Sequence, residues 1–300
     1  MQNQPARMYE RNQARHWSKT RGCLVSIFVG LLLTLCACTA SLALYIAFPP
    51  ASTDILIMGL DSRGNEGSVT RTDSIAILGI NPSRLRASLL SIPRDVFISV
   101  PNYGQQRVNT INVLAEADAR GTGPRLLADA IAMSFDIQVD RYVRLDFEAF
   151  TTLVNAIGGI TVDVPTVIVD NAFPTADYGT IQVRFEAGRQ QMNGDTALIY
   201  ARTRHQDDDY RRVERQQQVM AGIARKLLNP FNWGPAWLAL QSNTETDLTL
   251  FDVIRVAPVM LFSAGDFNML VINRDYVVPG NGFVMPNYEA LRPYIEENFD

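Results

Sequence analysis

The chain has 300 residues, 47% of them hydrophobic and 19% charged, with a formal net charge of −4. That is enough apolar material for one large core or two small ones, and a low charged fraction for a purely soluble protein. Three cysteines and two histidines leave little room for a disulfide scaffold or for histidine-centred catalysis.

The imbalance is local. Residues 22–53 carry no charged side chain, and 24–48 are nearly all apolar, more than the roughly 20 residues a helix needs to cross hydrocarbon. Arg7, Arg11, Arg15, Lys19 and Arg21 precede this run against a single Glu10, an excess that keeps that flank in the cytoplasm. The expected organisation is a basic cytoplasmic tail at 1–21, a transmembrane signal-anchor helix at 22–48, a stiff spacer at 49–53 and an extracytoplasmic domain at 54–300. Its core motifs fall in 54–229, and 230–300 are expected to pack on the same domain. Two rivals are a cleaved signal peptide, for which the run is long against an apolar region of about 7–15 residues, and a lipoprotein. In the second, Leu35-Cys36-Ala37-Cys38 is the cleavage box and Cys38 the lipidated residue. Cys23, Cys36 and Cys38 all fall in or beside the run, so the domain folds without disulfides or thiolate metal sites. Taking the tail's five basic and one acidic residues from the chain's 27 and 31 leaves 22 against 30, net −8. That balance argues against a general nucleic-acid surface.

Apolar runs at 54–60, 74–80 and 86–92 read as strands, the last two joined by the turn Asn81-Pro82-Ser83 as an antiparallel hairpin. A short strand at 98–101, helices at 109–118 and 125–135, a strand at 142–146, a helix at 147–157 stopped by Gly158-Gly159, and a strand at 160–164 follow. Residues 166–193 are turn-rich and read as an irregular excursion. Helices are expected at 195–201, 210–228 and 250–261, a strand or hairpin at 269–278, and a terminal helix from Tyr288. The alternation predicts an α/β fold: one α-β-α layered domain with a mixed central sheet behind one transmembrane helix.

The chemistry gathers at strand ends. The first run discharges into Asp61-Ser62-Arg63, the second opens with Arg71-Thr72-Asp73, and the third ends in Pro93-Arg94-Asp95. A hard cation such as Mg²⁺ commonly takes one or two carboxylates and fills its shell with water and phosphate, so Asp61 and Asp73 are candidate metal ligands. The bland alternative is that each caps a turn. Arg63, Arg71 and Arg94 either pair with these carboxylates at the surface, a contact worth about 0–1 kcal/mol, or hold phosphate oxygens bidentately. Later, Arg212, Arg215 and Gln216 share a helix face near its start, where backbone N–H groups already favour anions; the alternative is a solvated charged face. His205 is the one histidine outside the tail, and no nucleophile elbow, phosphate-binding loop, HExxH or CxxC is present.

Taken together, GLDSRG at 59–64, RTDSI at 71–75, SIPRD at 91–95, RVNTIN at 107–112, DRYVRLDF at 140–147, GGITVDVP at 158–165, ALIYARTR at 197–204 and the Asp209, Arg212, Arg215-Gln216-Gln217 series resemble the LytR-CpsA-Psr family of membrane-anchored bacterial phosphotransferases. The resemblance spans 54–229. It implies transfer of a glycopolymer phosphate from a polyprenyl-pyrophosphate carrier to a peptidoglycan hydroxyl, with release of polyprenyl phosphate. It also implies that Asp61 and Asp73 hold Mg²⁺, with Mn²⁺ as the alternative ion. Arg63, Arg71, Arg94, Arg202, Arg204, Arg212, Arg215 and Gln216 would surround the pyrophosphate. The lipid would lie in an apolar tunnel built from segments such as 126–135 and 147–157, and Asp95 is the candidate base for the incoming hydroxyl. The one departure is Arg107-Val108-Asn109 where the family often has Lys-Ile-Asn, which keeps the charge. The expected partners are the lipid-linked polymer, peptidoglycan and the bilayer, with no nucleic acid. Rival readings keep the site with water as acceptor, making a lipid-pyrophosphate hydrolase, or make the chain a non-enzymatic envelope regulator.

Overall fold

The computed structural model describes residues 4–62, 69–175, 179–204, 209–263, 267–280 and 282–299, with side chains from residue 25 onward except at 209 and 243. Two compact units result, Met1–Pro50 and Ala51–Asp300. The first is one helix, α1 (Gln4–Ala47), whose segment Val25–Ala47 is long and apolar enough to cross a membrane.

The second unit opens with three strands, β1 (Thr53–Leu60), β2 (Thr72–Asn81) and β3 (Arg86–Ile92). β1 pairs antiparallel with β2, setting Ile57 opposite Ala76, and β2 pairs antiparallel with β3, setting Ile77 opposite Leu90. The hairpin β4 (Phe97–Val100) and β5 (Gly104–Arg107) comes next, followed by α2 (Ile111–Asp118) and α3 (Gly123–Phe135). Pro124 in the first turn of α3 suits a position whose N–H has no helical partner. Strand β6 (Arg141–Leu145) returns parallel to β1 and leads through Asp146 into α4 (Phe147–Ala156). Asp146 caps that helix by accepting the Ala149 N–H at 2.8 Å. Gly158 and Gly159, at φ 74° and 72°, stop it in a backbone region that side chains avoid.

Residues 166–193 are not the irregular excursion the turn-rich sequence suggests. After β7 (Ile160–Val164) they form a hairpin of β8 (Ile168–Pro174) and β9 (Thr180–Phe185), and then β10 (Gly188–Met192), which pairs back on β7. These are two-stranded ribbons with polar, exposed positions, so the period-2 signal of a half-buried strand is weak. Helices α5 (Gly194–Arg202), α6 (Asp209–Leu227) and α7 (Trp233–Asn243) follow, then β11 (Thr244–Thr246), α8 (Leu250–Phe262) and β12 (Asn268–Val271). The ribbon β13 (Val277–Pro279) with β14 (Val284–Pro286) and helix α9 (Tyr288–Asn298) close the chain.

The central sheet is mixed, in the order β11-β6-β1-β2-β3-β12. Both edges come from the last 70 residues: β11 pairs antiparallel with β6, and β12 pairs parallel with β3. Its two faces are treated differently. On one, Leu56, Met58, Ile75, Ile77, Leu90 and Ile92 pack with Ile111 of α2, Leu127, Ile131 and Phe135 of α3, and Leu291 of α9 into one core. The opposite layer, built from α4, β7, β10, α5, α6 and α7, has a core of its own that contains no residue of the central sheet. A cavity separates that layer from the sheet. Helix α3 therefore walls the dry face, and segment 126–135 is not a wall of the cavity; only the 147–157 segment of the expected pair is.

Candidate functional site

The cavity encloses about 630 Å³ and is lined along most of its length by apolar side chains. The sheet supplies Ile55, Ile57, Leu78, Leu89 and Val143; α4 supplies Phe147, Phe150 and Leu153; α6 supplies Val219, Ile223 and Leu227; Met260 of α8 faces them. Strand alternation produces this wall, since Ile55 and Ile57 point away from the face occupied by Leu56 and Met58.

One end of the cavity is charged. Because β1, β2 and β3 run up, down and up, Asp61 after β1, Asp73 at the start of β2 and Arg94 after β3 meet at one end of the strands. Asp61, Asp73, Arg202, Arg204, Arg212 and Gln216 all line the cavity here, with Asp146 and Asp170. Arg94 donates from Nη1 to both carboxylate oxygens of Asp73 at 2.9 Å, and Arg204 reaches Oδ2 at 3.2 Å. The Arg94 turn is itself pinned, its carbonyl accepting the Asn109 N–H at 3.2 Å. Asp61 donates its backbone N–H to the Arg71 carbonyl at 3.0 Å, which ties the two strand ends together. Its carboxylate is about half exposed and lies 3.9 Å from Arg202, beyond hydrogen-bond reach.

Arg202 ends α5 with its guanidinium 4.2 Å above the Phe147 ring and 5.6 Å from that of Phe173. Such stacking on two rings fixes its direction, each contact worth about 0.5–1 kcal/mol or more. Arg212, on the first turns of α6, is 1% exposed. Arg215 is also buried, but its Nη2 donates to the Thr203 carbonyl, so it secures the α5–α6 connection. Gln217 donates to Ser91 of β3 at 3.4 Å, holding α6 to the sheet. Tyr200, buried in α5, bonds Gln218, and burial pushes its hydroxyl up to about 12 although Arg215 works against this. Asp95 lies outside the cavity, half exposed, 3.2 Å from Arg107 and 3.7 Å from Arg94. Arg71 is exposed. Arg63 and His205 lie outside the described residues.

Three contributors were not singled out from the sequence. Asp170 is 3% exposed at the irregularity of β8; it accepts the Ala172 N–H at 3.0 Å and the Arg204 N–H at 3.3 Å, setting the backbone from which Arg204 reaches Asp73. An acid inside the apolar run Ile168-Val169-Asp170 was the available signal. Arg107, noted in the sequence only as a charge-keeping departure, gains a role through its ion pair with Asp95, and the Phe147–Phe173 pair is visible only once the chain is folded.

The donor set fits a hard divalent cation shared with a phosphate. Among the described residues no three His, Cys, Asp or Glu side chains gather into a complete cage. Asp61 lines the cavity with a carboxylate that is about half exposed. The bonds from Arg94 and Arg204 leave Asp73 Oδ1 a second lone pair, which suits an ion completed by phosphate and water.

A profile of the LytR_cpsA_psr family matches residues 49–282. The chain belongs to this family. The match runs past residue 229, into the elements that supply both sheet edges. Among LytR_cpsA_psr relatives, the polyisoprenyl-teichoic acid–peptidoglycan teichoic acid transferase TagU of Oceanobacillus iheyensis is 30% identical over 204 residues, covering 66% of this chain and 60% of its own. The corresponding transferase TagV of Bacillus subtilis is 26% identical over 258 residues, covering 82% and 64%. The chain spans about six-tenths of the length of the curated relatives it matches. The crystal structure of B. subtilis TagV superposes with a TM-score of 0.67 at 22% identity, over 83% of this chain and 98% of that one. TagT bound to LIIa-WTA gives 0.63 at 24% identity, over 82% and 89%. These likenesses show the fold.

Proposed function

We propose that the chain moves a glycopolymer phosphate from a polyprenyl-pyrophosphate carrier onto a peptidoglycan hydroxyl, releasing polyprenyl phosphate. The observation that carries this reading is an apolar cavity of about 630 Å³ that ends in carboxylates and guanidiniums. At about 24 cal/mol per Å³, an equally large void in a packed core would cost on the order of 15 kcal/mol, as much as the whole stability of a domain. Water gains little from such walls. A ligand with a long hydrocarbon tail and a polyanionic head matches both ends, and the names of the relatives point to the same substrate class.

In this reading the tail fills the cavity and the pyrophosphate lies against Arg202, Arg204 and Arg212, with Arg63, Arg71 and Gln216 around it. Arg94 and Arg204 hold Asp73 in one orientation. The acceptor oxygen bonds to the sugar-linked phosphorus as the bridging P–O bond breaks, and the electron pair leaves with polyprenyl phosphate. The hydroxyl proton passes to Asp95, which stands on the solvent side where a wall polymer arrives. A magnesium or manganese ion on Asp61 and Asp73 would supply further neutralisation of the phosphate charge. The chemistry asks the protein for positioning and charge compensation, which fixed guanidiniums provide. Residues 1–21 are then cytoplasmic, 22–48 cross the membrane, 49–53 are the spacer and 54–300 work outside, where the carrier lipid is anchored.

The test is the full chain in vesicles with a synthetic polyprenyl-pyrophosphate glycan, Mg²⁺ and peptidoglycan. Lipid phosphate should appear in equal amount with polymer joined covalently to the wall fragment. Lipid phosphate without joined polymer makes the activity hydrolysis, and the absence of both products removes the enzyme reading.

A further inference from the structure

Helix α8 is apolar except for Asp252 and Arg255, which are held by Arg141 and Thr53. Its inner arc is accounted for by burial of Val256, Ala257 and Val259, while Met260 lines the cavity. The outer arc is not. Leu250, Phe251, Ile254, Leu261 and Phe262 are 54, 70, 62, 42 and 50% exposed. At 3.6 residues per turn they fall, with Pro258, in one stripe along the helix. Exposed apolar residues on a water-facing surface are normally scattered singly, whereas a contiguous stripe marks a surface that something covers.

The chain itself says what covers the stripe. Arg255, at its border, donates from Nη2 to the hydroxyl of Thr53, the first residue of β1. Thr53 lies five residues beyond Phe48, the last apolar residue of the membrane-spanning run. Fully extended, those residues reach about 18 Å at most. The stripe is thus leashed to the bilayer surface through its own neighbour. Charge does not attract the domain there, since it is net −8 on sequence, which leaves apolar burial as the driving force.

We propose that the outer face of α8 lies in the lipid interface of the membrane that residues 25–47 cross, docking the domain on the bilayer. This rests on the anchored, extracytoplasmic reading above. The helix then has lipid on one side and, through Met260, the cavity on the other, so a carrier tail passes from bilayer to cavity beside a single helix.

The full chain, with its three cysteines replaced by alanine, is given one nitroxide label at Phe251→Cys, Ile254→Cys or, as a solvent control, Arg125→Cys on α3, whose side chain is 83% exposed. The protein is placed in phosphatidylcholine vesicles. Labels at 251 and 254 should be several-fold more accessible to oxygen than to a water-soluble nickel chelate, and the label at 125 the reverse. Solvent-like behaviour at 251 and 254 in carbonate-resistant protein overturns the docking and leaves the anchor standing. Shielding from both reagents with dipolar broadening assigns the stripe to a second copy and likewise overturns it. Release by carbonate removes the anchor and the docking together. Label depth needs no turnover, so immersed labels on an inactive protein sink the transferase reading alone. In active protein, Phe251→Glu combined with Ile254→Glu should lower transfer from vesicle-embedded donor about tenfold or more, matching loss of at least 1.4 kcal/mol of burial, and spare detergent-dispersed donor. Equal loss on both donors overturns the proposal.

Discussion

Arg94→Lys keeps the positive charge beside Asp73 and removes only the guanidinium fork. In the structure the Arg94 Nη1 sits 2.9 Å from each carboxylate oxygen, and its Nε faces Asp95 at 3.7 Å. The side chains are 20% and 18% exposed, so water replaces lost contacts only in part. A lysine keeps a single nitrogen for Asp73 and gives up the 3.7 Å ion pair with half-exposed Asp95, worth roughly 0.7–1 kcal/mol of positioning. At 1.36 kcal/mol per decade, kcat/KM should fall about 3- to 5-fold. Arg94→Met also deletes the charge and leaves Asp73 with Arg204 alone; the expected loss is about 100- to 1,000-fold, the scale of removing one preorganised transition-state donor. The assay is release of polyprenyl phosphate from a fluorescent donor, run with Arg94→Met, Asp73→Asn and the double variant. Residues acting as one unit give a double variant little worse than the poorer single one. A lysine variant within about twofold of the parent, or losses that multiply in the double variant, would refute the coupled Arg94–Asp73 arrangement.

Ala224→Trp, on the α6 wall of the cavity, should raise KM for long-chain donor by about tenfold, a cost of 1.4 kcal/mol, and leave a short-chain donor nearly unaffected, as read from initial rates on both. Asp61→Asn should raise the Mg²⁺ concentration at half-maximal rate about 10- to 100-fold, the shift expected when an ion loses a ligand charge, measured by metal titration. Arg144 lies between the fully buried Glu116 and the half-exposed Glu245, so Arg144→Met removes the cation beside Glu116, leaves its charge to the Gly121 and Gly123 N–H groups, and should cost about 3 kcal/mol in urea unfolding. Burial alone would raise Asp252, but bonds from Arg141 and Thr249 bring it down to about 2 from 3.8. A depressed carboxylate stabilises the fold above its unfolded pKa, so this roughly 2 kcal/mol is present near pH 5 and lost between about pH 4 and pH 2. Arg141→Met should move the acid-unfolding midpoint upward in a circular-dichroism titration.

What the sequence disclosed followed from how strongly each segment repeats its own pattern. The runs at 54–60, 74–80 and 86–92 are rich in Ile and Leu and bounded by turn residues, and they form β1, β2 and β3 at nearly those bounds. Their alternating direction puts Asp61, Asp73 and Arg94 at one end of the strands without further assumption. β11 was illegible for the opposite reason: Thr244-Glu245-Thr246 has no apolar pattern, and its place on β6 is fixed by backbone pairing and by Glu245 reaching Arg144. Helix α7 begins Trp233-Gly234-Pro235, breakers that conceal a helix from propensity alone. The Arg212, Arg215 and Gln216 face divides in the fold because three residues turn a side chain 60° to one side and four turn it 40° to the other; Arg212 and Gln216 turn to the cavity and Arg215 to the Thr203 carbonyl.

The misplacement of segment 126–135 has a more general cause. Helix α3 and helix α4 have the same amphipathic signature, with Leu127, Ile131 and Phe135 in one and Phe150, Leu153 and Val154 in the other. An apolar stripe states only that a side chain will leave water; it does not say whether it meets another side chain or a ligand. Central strands compound the ambiguity, because they are apolar on both faces and so give no sign of which face closes. The decision lies in distant residues. Leu291 of α9 reaches the core on one face, and Phe299 lies so close over β2 that a Cβ on Gly79 would stand 2.8 Å from its ring. On the other face α6 is tied to the sheet near its middle by Gln217 on Ser91, and its last turn is tied to α7 of the same layer by the Trp233 indole donating to the Leu227 carbonyl. Beyond Gln217, Val219, Ile223 and Leu227 line the cavity. The cavity is therefore a property of how the helix is suspended, which no local pattern in the sequence encodes.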